Sequence, residues 1–172
     1  MRTRFLAVAA LLLGALTLSM PAARAAAPKA PQATPAGVYA VKIGPGVSLA
    51  EAAESMKLRA NALNLQLVAE LPMSKQVEAV TGKPQRTVTI YQFCDAVLAM
   101  DLISVNREFA IYMPCRVALI EDAQGQGWLV MMDVNVDSVA QEKRLPPALK
   151  TRVEAVRKSL LEVMQAGAAG EL

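Results

Sequence analysis

The 172-residue chain contains no histidine, and this absence excludes many common catalytic and metal-binding arrangements. A Ser-His-Asp triad, a Cys-His pair, an H-E-x-x-H zinc site and a histidine-ligated haem each need an imidazole. The chain has only two cysteines, Cys94 and Cys115, and their spacing excludes a C-x-x-C motif. Gly44-Pro45-Gly46 lacks the lysine and the spacing of a phosphate-binding loop. We therefore expect no catalytic residues and no cofactor, and a non-enzymatic role.

The amino-terminal segment has the features of a secretory signal peptide. Arg2 and Arg4 precede an uncharged apolar run from Phe5 to Met20, and Ala23-Arg24-Ala25 matches the small-x-small cleavage pattern. The apolar run is shorter than the roughly 20 residues that a membrane-spanning helix needs. We predict a signal peptide over residues 1–25, a periplasmic or secreted mature protein, and no membrane attachment after cleavage.

The excess of positive charge also belongs to this segment. The chain has 18 Lys and Arg against 15 Asp and Glu, and Arg2, Arg4 and Arg24 lie within the predicted signal. The remaining residues therefore have balanced charge and no dense basic stripe, so we expect no nucleic-acid partner. The identity of a small ligand or partner protein stays open.

The pattern of apolar residues predicts a single domain. An Ala/Pro-rich, disordered linker over residues 26–36 precedes the domain at 37–166, and a frayed tail follows at 167–172. Strands are predicted at 38–43, 65–71, 87–93, 114–121 and 128–134, helices at 49–63, 96–104 and 147–167, and a weaker helical turn at 72–80. The helix at 96–104 is apolar on most sides and is expected to be well buried.

The order of these elements, β-α-β-β-α-β-β-α, predicts an α+β fold. The short Gly-containing turn at 122–127 requires its two strands to pair antiparallel. We expect a two-layer sandwich, with a mainly antiparallel sheet and helices on one of its faces.

Several short motifs resemble the domain of unknown function 302 family, in particular its exported branch with an F-C … P-C-R pattern. They are Tyr91-Gln92-Phe93-Cys94, Met113-Pro114-Cys115-Arg116-Val117, Glu121-Asp122 and the segment from Gly125 to Trp128. The resemblance covers residues 37–165 and implies a compact α+β fold that is often homodimeric, with no established reaction. Another branch has Gly-Asn-Pro where this chain has Cys94-Asp95-Ala96, so no role of that turn is transferred here.

The two cysteines are the main candidates for a functional site. If the strand ending at Cys94 and the strand beginning at Cys115 pair antiparallel, and residues 107–113 run back extended, the thiols become neighbours at one end of the sheet. Outside the cytoplasm this arrangement favours a structural disulfide. Two buried unpaired thiols, or a redox, sulfur-handling or soft-metal site, are the alternatives.

Other side chains extend this candidate site. Met113, and one of Met131 and Met132, could join the cysteines in binding copper(I), although methionine in an apolar strand is commonly core filler. Tyr91 and Arg116 are possible ligand contacts, and Arg116 is expected to face away from Cys115 because strand side chains alternate.

The acidic residues near the hairpin, Glu121, Asp122, Asp133 and Asp137, are predicted to be solvated surface groups. We therefore expect an exported binding or accessory domain with a structural cysteine pair, and a thiol-based redox, sulfur-handling or copper(I)-binding protein is the alternative.

Overall fold

A computed structural model of the protein describes residues 36–171. The predicted signal peptide and linker lie outside this range, apart from Ala36 at the start of the first strand. The strands are β1 (Ala36–Lys42), β2 (Gln66–Leu71), β3 (Val88–Cys94), β4 (Cys115–Glu121) and β5 (Gly127–Val134). The helices are α1 (Leu49–Ala62), α2 (Met73–Thr81), α3 (Ala96–Val105), α4 (Val136–Glu142) and α5 (Pro147–Ala169), with a 3₁₀ helix at Arg107–Tyr112.

The five strands form one antiparallel sheet in the order β1-β5-β4-β3-β2. Inward-facing residues such as Phe93, Val117 and Leu129 are fully buried, and they pack with residues of α1 and α5 such as Met56 and Met164. The side chains between them on the central strands point to the other face and are partly exposed to solvent. This pattern is expected for a sheet that is covered on one face only. The predicted α+β sandwich is therefore confirmed.

The predicted start of α1 at residue 49 is confirmed, and a capping box holds it. Ser48 Oγ accepts a hydrogen bond from the backbone N–H of Glu51, and Glu51 Oε2 accepts one from the backbone N–H of Ser48 at 2.7 Å. This reciprocal capping box satisfies two N–H groups that the first helical turn leaves without partners.

The prediction for the helix after β3 is wrong in one respect, because α3 is not well buried. Only Leu98 and Leu102 are buried, whereas the side chains of Val97 and Met100 are 69% and 62% exposed. The reason is that only one side of α3 packs, in a second apolar cluster with Phe109 and residues of α4 and α5, while its other side stays exposed.

Residues 107–113 do not run back extended. They fold into the 3₁₀ helix, whose Phe109 is buried in the second cluster, and only Met113 and Pro114 separate it from β4. The short helix α4 was not predicted. Asn135 caps it by accepting a hydrogen bond from the backbone N–H of Ser138, and Val139 and Ala140 are buried.

Helix α5 is longer than predicted. It passes through Gly167 and ends at Ala169, and Gly170 after it adopts the left-handed conformation with φ of 67°. Gly167 is needed for close packing, because a Cβ there would lie 2.4 Å from Met56 Cγ. The predicted frayed tail is therefore helical as far as Ala169, and Ala166 and Ala168 are buried.

Candidate ligand-binding cavity

An apolar cavity of about 130 Å³ lies where the carboxyl end of β3 and the amino end of β4 meet the second apolar cluster. The strands β3, β4 and β5 contribute Cys94, Cys115 and Met131 to its wall. The helices α3, α4 and α5, together with the 3₁₀ helix and the segment after it, contribute mainly apolar side chains: Leu98, Leu102, Phe109, Met113, Val139, Val153 and Leu160. The wall is almost wholly apolar, and the cavity is partly open to solvent. This combination is typical of a small-molecule site.

The antiparallel pairing of β3 with β4 brings the two cysteines to this cavity. Cys115 lies directly opposite Phe93, and Cys94 is the next residue along β3. The predicted convergence of Cys94 and Cys115 at one end of the sheet is therefore present, and both residues line the cavity.

The expected disulfide is not present, because both cysteines are free. The register gives a physical reason. Directly opposed residues share a face of the sheet, so Cys115 follows Phe93 onto the covered face, whereas alternation directs Cys94 to the other side of the strand.

Both thiols are held in the protonated form. Burial, helped by the neighbouring Cys94 and opposed to a smaller extent by Arg116, raises the pKa of Cys115 to about 11. Burial and the adjacent Asp95 carboxylate raise the pKa of Cys94. A thiol that acts as a nucleophile or exchanges disulfides needs a lowered pKa, so these cysteines are not activated for such chemistry.

The three methionines of the candidate copper(I) site all line the same cavity as the cysteines. Met131 is almost fully buried on the covered face, Met132 is 41% exposed, and Met113 packs against the second cluster. Among residues 36–171, no group of three or more His, Cys, Asp or Glu side chains is placed to hold a metal ion.

The two residues predicted as ligand contacts are in different environments. Arg116 lines the cavity and is exposed at its rim. Tyr91 does not line the cavity. It lies within the main core, only 4% exposed, with Lys57 Nζ 5.7 Å from its ring centroid, and burial raises the pKa of its hydroxyl.

The four carboxylates near the hairpin do not form a joint site. Asp122 accepts hydrogen bonds within the turn and from Trp128 Nε1 at 2.8 Å, and Glu121 accepts one from the backbone N–H of Thr87. Asp137 pairs with Lys150, and Asp133 holds Arg157 through two hydrogen bonds of 2.6 and 2.8 Å. Each carboxylate therefore has a structural partner.

Sequence reasoning missed most of the cavity wall, including Arg157 of α5. Arg157 lines the cavity while its guanidinium is held by Asp133 of β5, which fixes α5 against the sheet at this point. The sequence of α5 gives only a weak indication of the cavity wall. Val153, Val156 and Leu160 follow an ordinary helical repeat, which predicts that they are buried but does not identify a cavity.

No helix within residues 36–171 is both long and apolar enough to span a membrane.

Comparison with known proteins gives one family and one fold. The sequence profile of "Domain of unknown function DUF302" matches residues 39–167. The crystal structure of an uncharacterized conserved DUF302 protein from Bacillus stearothermophilus superimposes with a TM-score of 0.61 at 15% sequence identity, covering 75% of this chain and 96% of that one. No curated protein matches the chain.

Proposed function

The chain belongs to the DUF302 family, and we propose that it is an exported, non-enzymatic binding domain that holds a small apolar molecule in the cavity beside Cys94 and Cys115. The observation that carries this proposal is the cavity itself. Compact protein interiors leave few voids larger than a water molecule, so a void of about 130 Å³ lined by apolar side chains is a notable departure from close packing.

The volume limits the ligand. An engineered apolar cavity of about 150 Å³ stays dry and binds benzene or xenon. A void of similar size suits a compact ligand such as a single aromatic ring or a short aliphatic chain. The partial opening to solvent gives such a molecule a way in.

A thiol-based redox or sulfur-transfer function is less well supported. Both cysteines line the cavity, but the pKa of each is raised by burial, which keeps the sulfur in its unreactive protonated form. In this proposal the thiols are part of the apolar wall, where a free cysteine behaves as a small hydrophobic residue.

Ligand binding can be tested with toluene and calorimetry. Ala99 lies on α3 and lines the cavity, so Ala99→Leu should fill part of the void and weaken toluene binding at least about tenfold. Ala96→Leu is the matched control, because Ala96 is exposed on the same helix and does not line the cavity. Equal toluene affinity in both variants, or no binding by the parent protein, would contradict the proposal.

The uncovered face of the sheet supports a further proposal, that the domain is a homodimer. This face carries Val38, Ala118, Ile120, Val130 and Met132 among other apolar residues. Five strands spaced about 4.8 Å apart, each about 20 Å long, give a face of roughly 500 Å² in plan. Because side chains make the surface uneven, its accessible area is larger than the plan area and approaches the roughly 800 Å² per partner of a standard interface. A second copy of the chain would cover this face.

A further inference from the structure

The exposed part of the cavity wall lies on the uncovered side of the sheet. Strand side chains alternate, so Cys115 and Met131 reach the cavity from the covered face, whereas Arg116 and Met132 belong to the uncovered face. Arg116 and Met132 are also the exposed residues of the wall, whose other members are buried or half-buried. The opening of the cavity is therefore beside these two residues, and a ligand that fills the apolar interior has its outer end there.

Three charged side chains line the cavity, and two of them already have partners within the fold. Arg157 is held by Asp133 through two hydrogen bonds of 2.6 and 2.8 Å. Asp95 accepts a hydrogen bond from the backbone N–H of Leu98 at 2.9 Å, and its negative charge is stabilised by the positive end of α3. Arg116 forms no ion pair with any carboxylate of the described residues. Its guanidinium is therefore the charged group of the wall that remains available to a ligand.

We propose that the ligand of this cavity is a small organic carboxylate, with its apolar body in the cavity and its carboxylate group bound by the guanidinium of Arg116. The inference rests on the proposed function, because it needs the cavity to hold an organic molecule. It adds the chemical class of that molecule and the residue that fixes its orientation.

The position of Arg116 suits this role. An arginine can pack its methylene stem along apolar surface while its guanidinium stays in water, as a place at the rim requires. A few polar groups at the edge of an otherwise apolar pocket commonly orient the ligand. The charge of Arg116 also acts on the wall, since it opposes the rise in the pKa of the Cys115 thiol. The same positive charge stabilises an anion at the opening.

The chemistry of the guanidinium favours a carboxylate. Its planar fork donates two parallel hydrogen bonds to the two carboxylate oxygens. One unpaired cation also matches the single negative charge of a carboxylate. A phosphate monoester has about −1.5 to −2 charges at pH 7 and would leave part of this charge uncompensated beside an apolar wall, which is unfavourable.

The test is calorimetry with 3-phenylpropanoate and its neutral amide, with toluene as a third ligand. The aromatic ring matches the ligand size expected for the cavity, and two methylene groups connect it to a carboxylate at the rim. The parent protein should bind the carboxylate about fivefold more tightly than the amide, which is the upper end for an ion pair exposed to solvent. Equal affinities for the carboxylate and the amide would overturn the inference.

Two variants test whether Arg116 causes this preference. Arg116→Gln should weaken binding of 3-phenylpropanoate about fivefold and leave toluene affinity unchanged, because the cavity itself is intact. Arg107→Gln is the matched control, since it removes the same charge from an exposed position on the 3₁₀ helix that does not line the cavity. An equal loss of carboxylate affinity in both variants would mean that only the overall charge matters, and Arg116 would not be the contact.

The three ligands also separate this inference from the proposed function. Toluene binding without a preference for the carboxylate overturns the role of Arg116 and leaves the apolar binding site standing. No binding of any of the three ligands overturns the proposed function, and the inference with it. Binding of the carboxylate without toluene would mean an ion contact at the surface, and it would contradict both.

Discussion

Cys115 and Phe93 lie directly opposite each other on the antiparallel strands β4 and β3, at the end of the sheet where the apolar cavity opens. This pairing places Cys115 on the covered face of the sheet and makes Cys94 its diagonal neighbour. It explains why the two thiols meet the same cavity without being bonded to each other.

The first prediction concerns the pH dependence of stability. The Cys115 thiol has a pKa of about 11 in the folded chain against an ordinary value of 9.0. Its stabilising contribution is complete below pH 9 and is lost as the pH rises from about 9 to 11, because the unfolded chain releases the proton first. At about 1.4 kcal/mol per unit, the loss is about 2–3 kcal/mol.

The measurement is urea unfolding of the parent protein and Cys115→Ala at several pH values. The difference in unfolding free energy between the two proteins should shrink above pH 9, because alanine does not titrate. The tyrosines and lysines titrate in both proteins, so their effect cancels in this difference. Parallel curves from pH 8 to 11 would contradict a buried, proton-retaining Cys115.

The second prediction concerns the contact between α5 and α1. Gly167→Ala places a Cβ 2.4 Å from Met56 Cγ and 3.0 Å from Leu129 Cδ1, so the helices must shift. We expect a loss of about 1–3 kcal/mol, the usual cost of overpacking a core. Gly37→Ala is the control, because the nearest atom to its added Cβ is 3.8 Å away. Thermal unfolding measures both, and equal melting temperatures would show that the close approach is absent.

The third prediction concerns the homodimer. Val38 is 78% exposed on the uncovered sheet face, so Val38→Glu should leave the monomer folded but bury a carboxylate in the dimer interface. Dissociation should become at least about tenfold easier, corresponding to 1.4 kcal/mol. Val80→Glu on α2 is the matched control, because Val80 is 88% exposed and lies on a helix outside this face. Light scattering after size exclusion measures the mass, and a monomeric parent protein would refute the proposal.

The fourth prediction concerns export. Cleavage after Ala25 should leave a mature chain beginning at Ala26, and intact mass of the protein recovered from expressing cells reports this directly. Ala25→Leu removes a small residue that the cleavage pattern requires and should block processing at this bond. Ala27→Leu lies beyond the pattern and should be processed normally. An unprocessed parent protein would contradict the predicted signal peptide.

Local sequence signals were sufficient for most of the sheet and for α1. These signals act over only a few residues, so they can be recognised without the rest of the chain. They are the alternation of apolar residues in β3 to β5, the Gly-containing turn and the Ser48–Glu51 capping box. The meeting of Cys94 and Cys115 depended on antiparallel pairing, which is present, and on an extended return over residues 107–113, which is replaced by a 3₁₀ helix.

The errors in α3, α5 and the cavity involve contacts distant in sequence. The apolar composition of α3 indicated burial, but its outer residues Val97 and Met100 are exposed because the fold provides no neighbour there. The sequence predicts a helix end at Gly167, whereas the packing of α5 against α1 requires a residue without a side chain there. The cavity could not be predicted, since a void depends on how well α3, α4 and α5 fill the space between them.

The most direct test of the central claim uses methionine residues labelled with ¹³C in their methyl groups and an NMR titration with toluene. Met113, Met131 and Met132 line the cavity, whereas Met56, Met73, Met100 and Met164 do not and serve as internal controls. A saturable shift of the first three methyl signals, with the other four nearly unchanged, is the predicted result. No shift, or equal shifts of all seven signals, would show that the cavity does not bind a small apolar molecule.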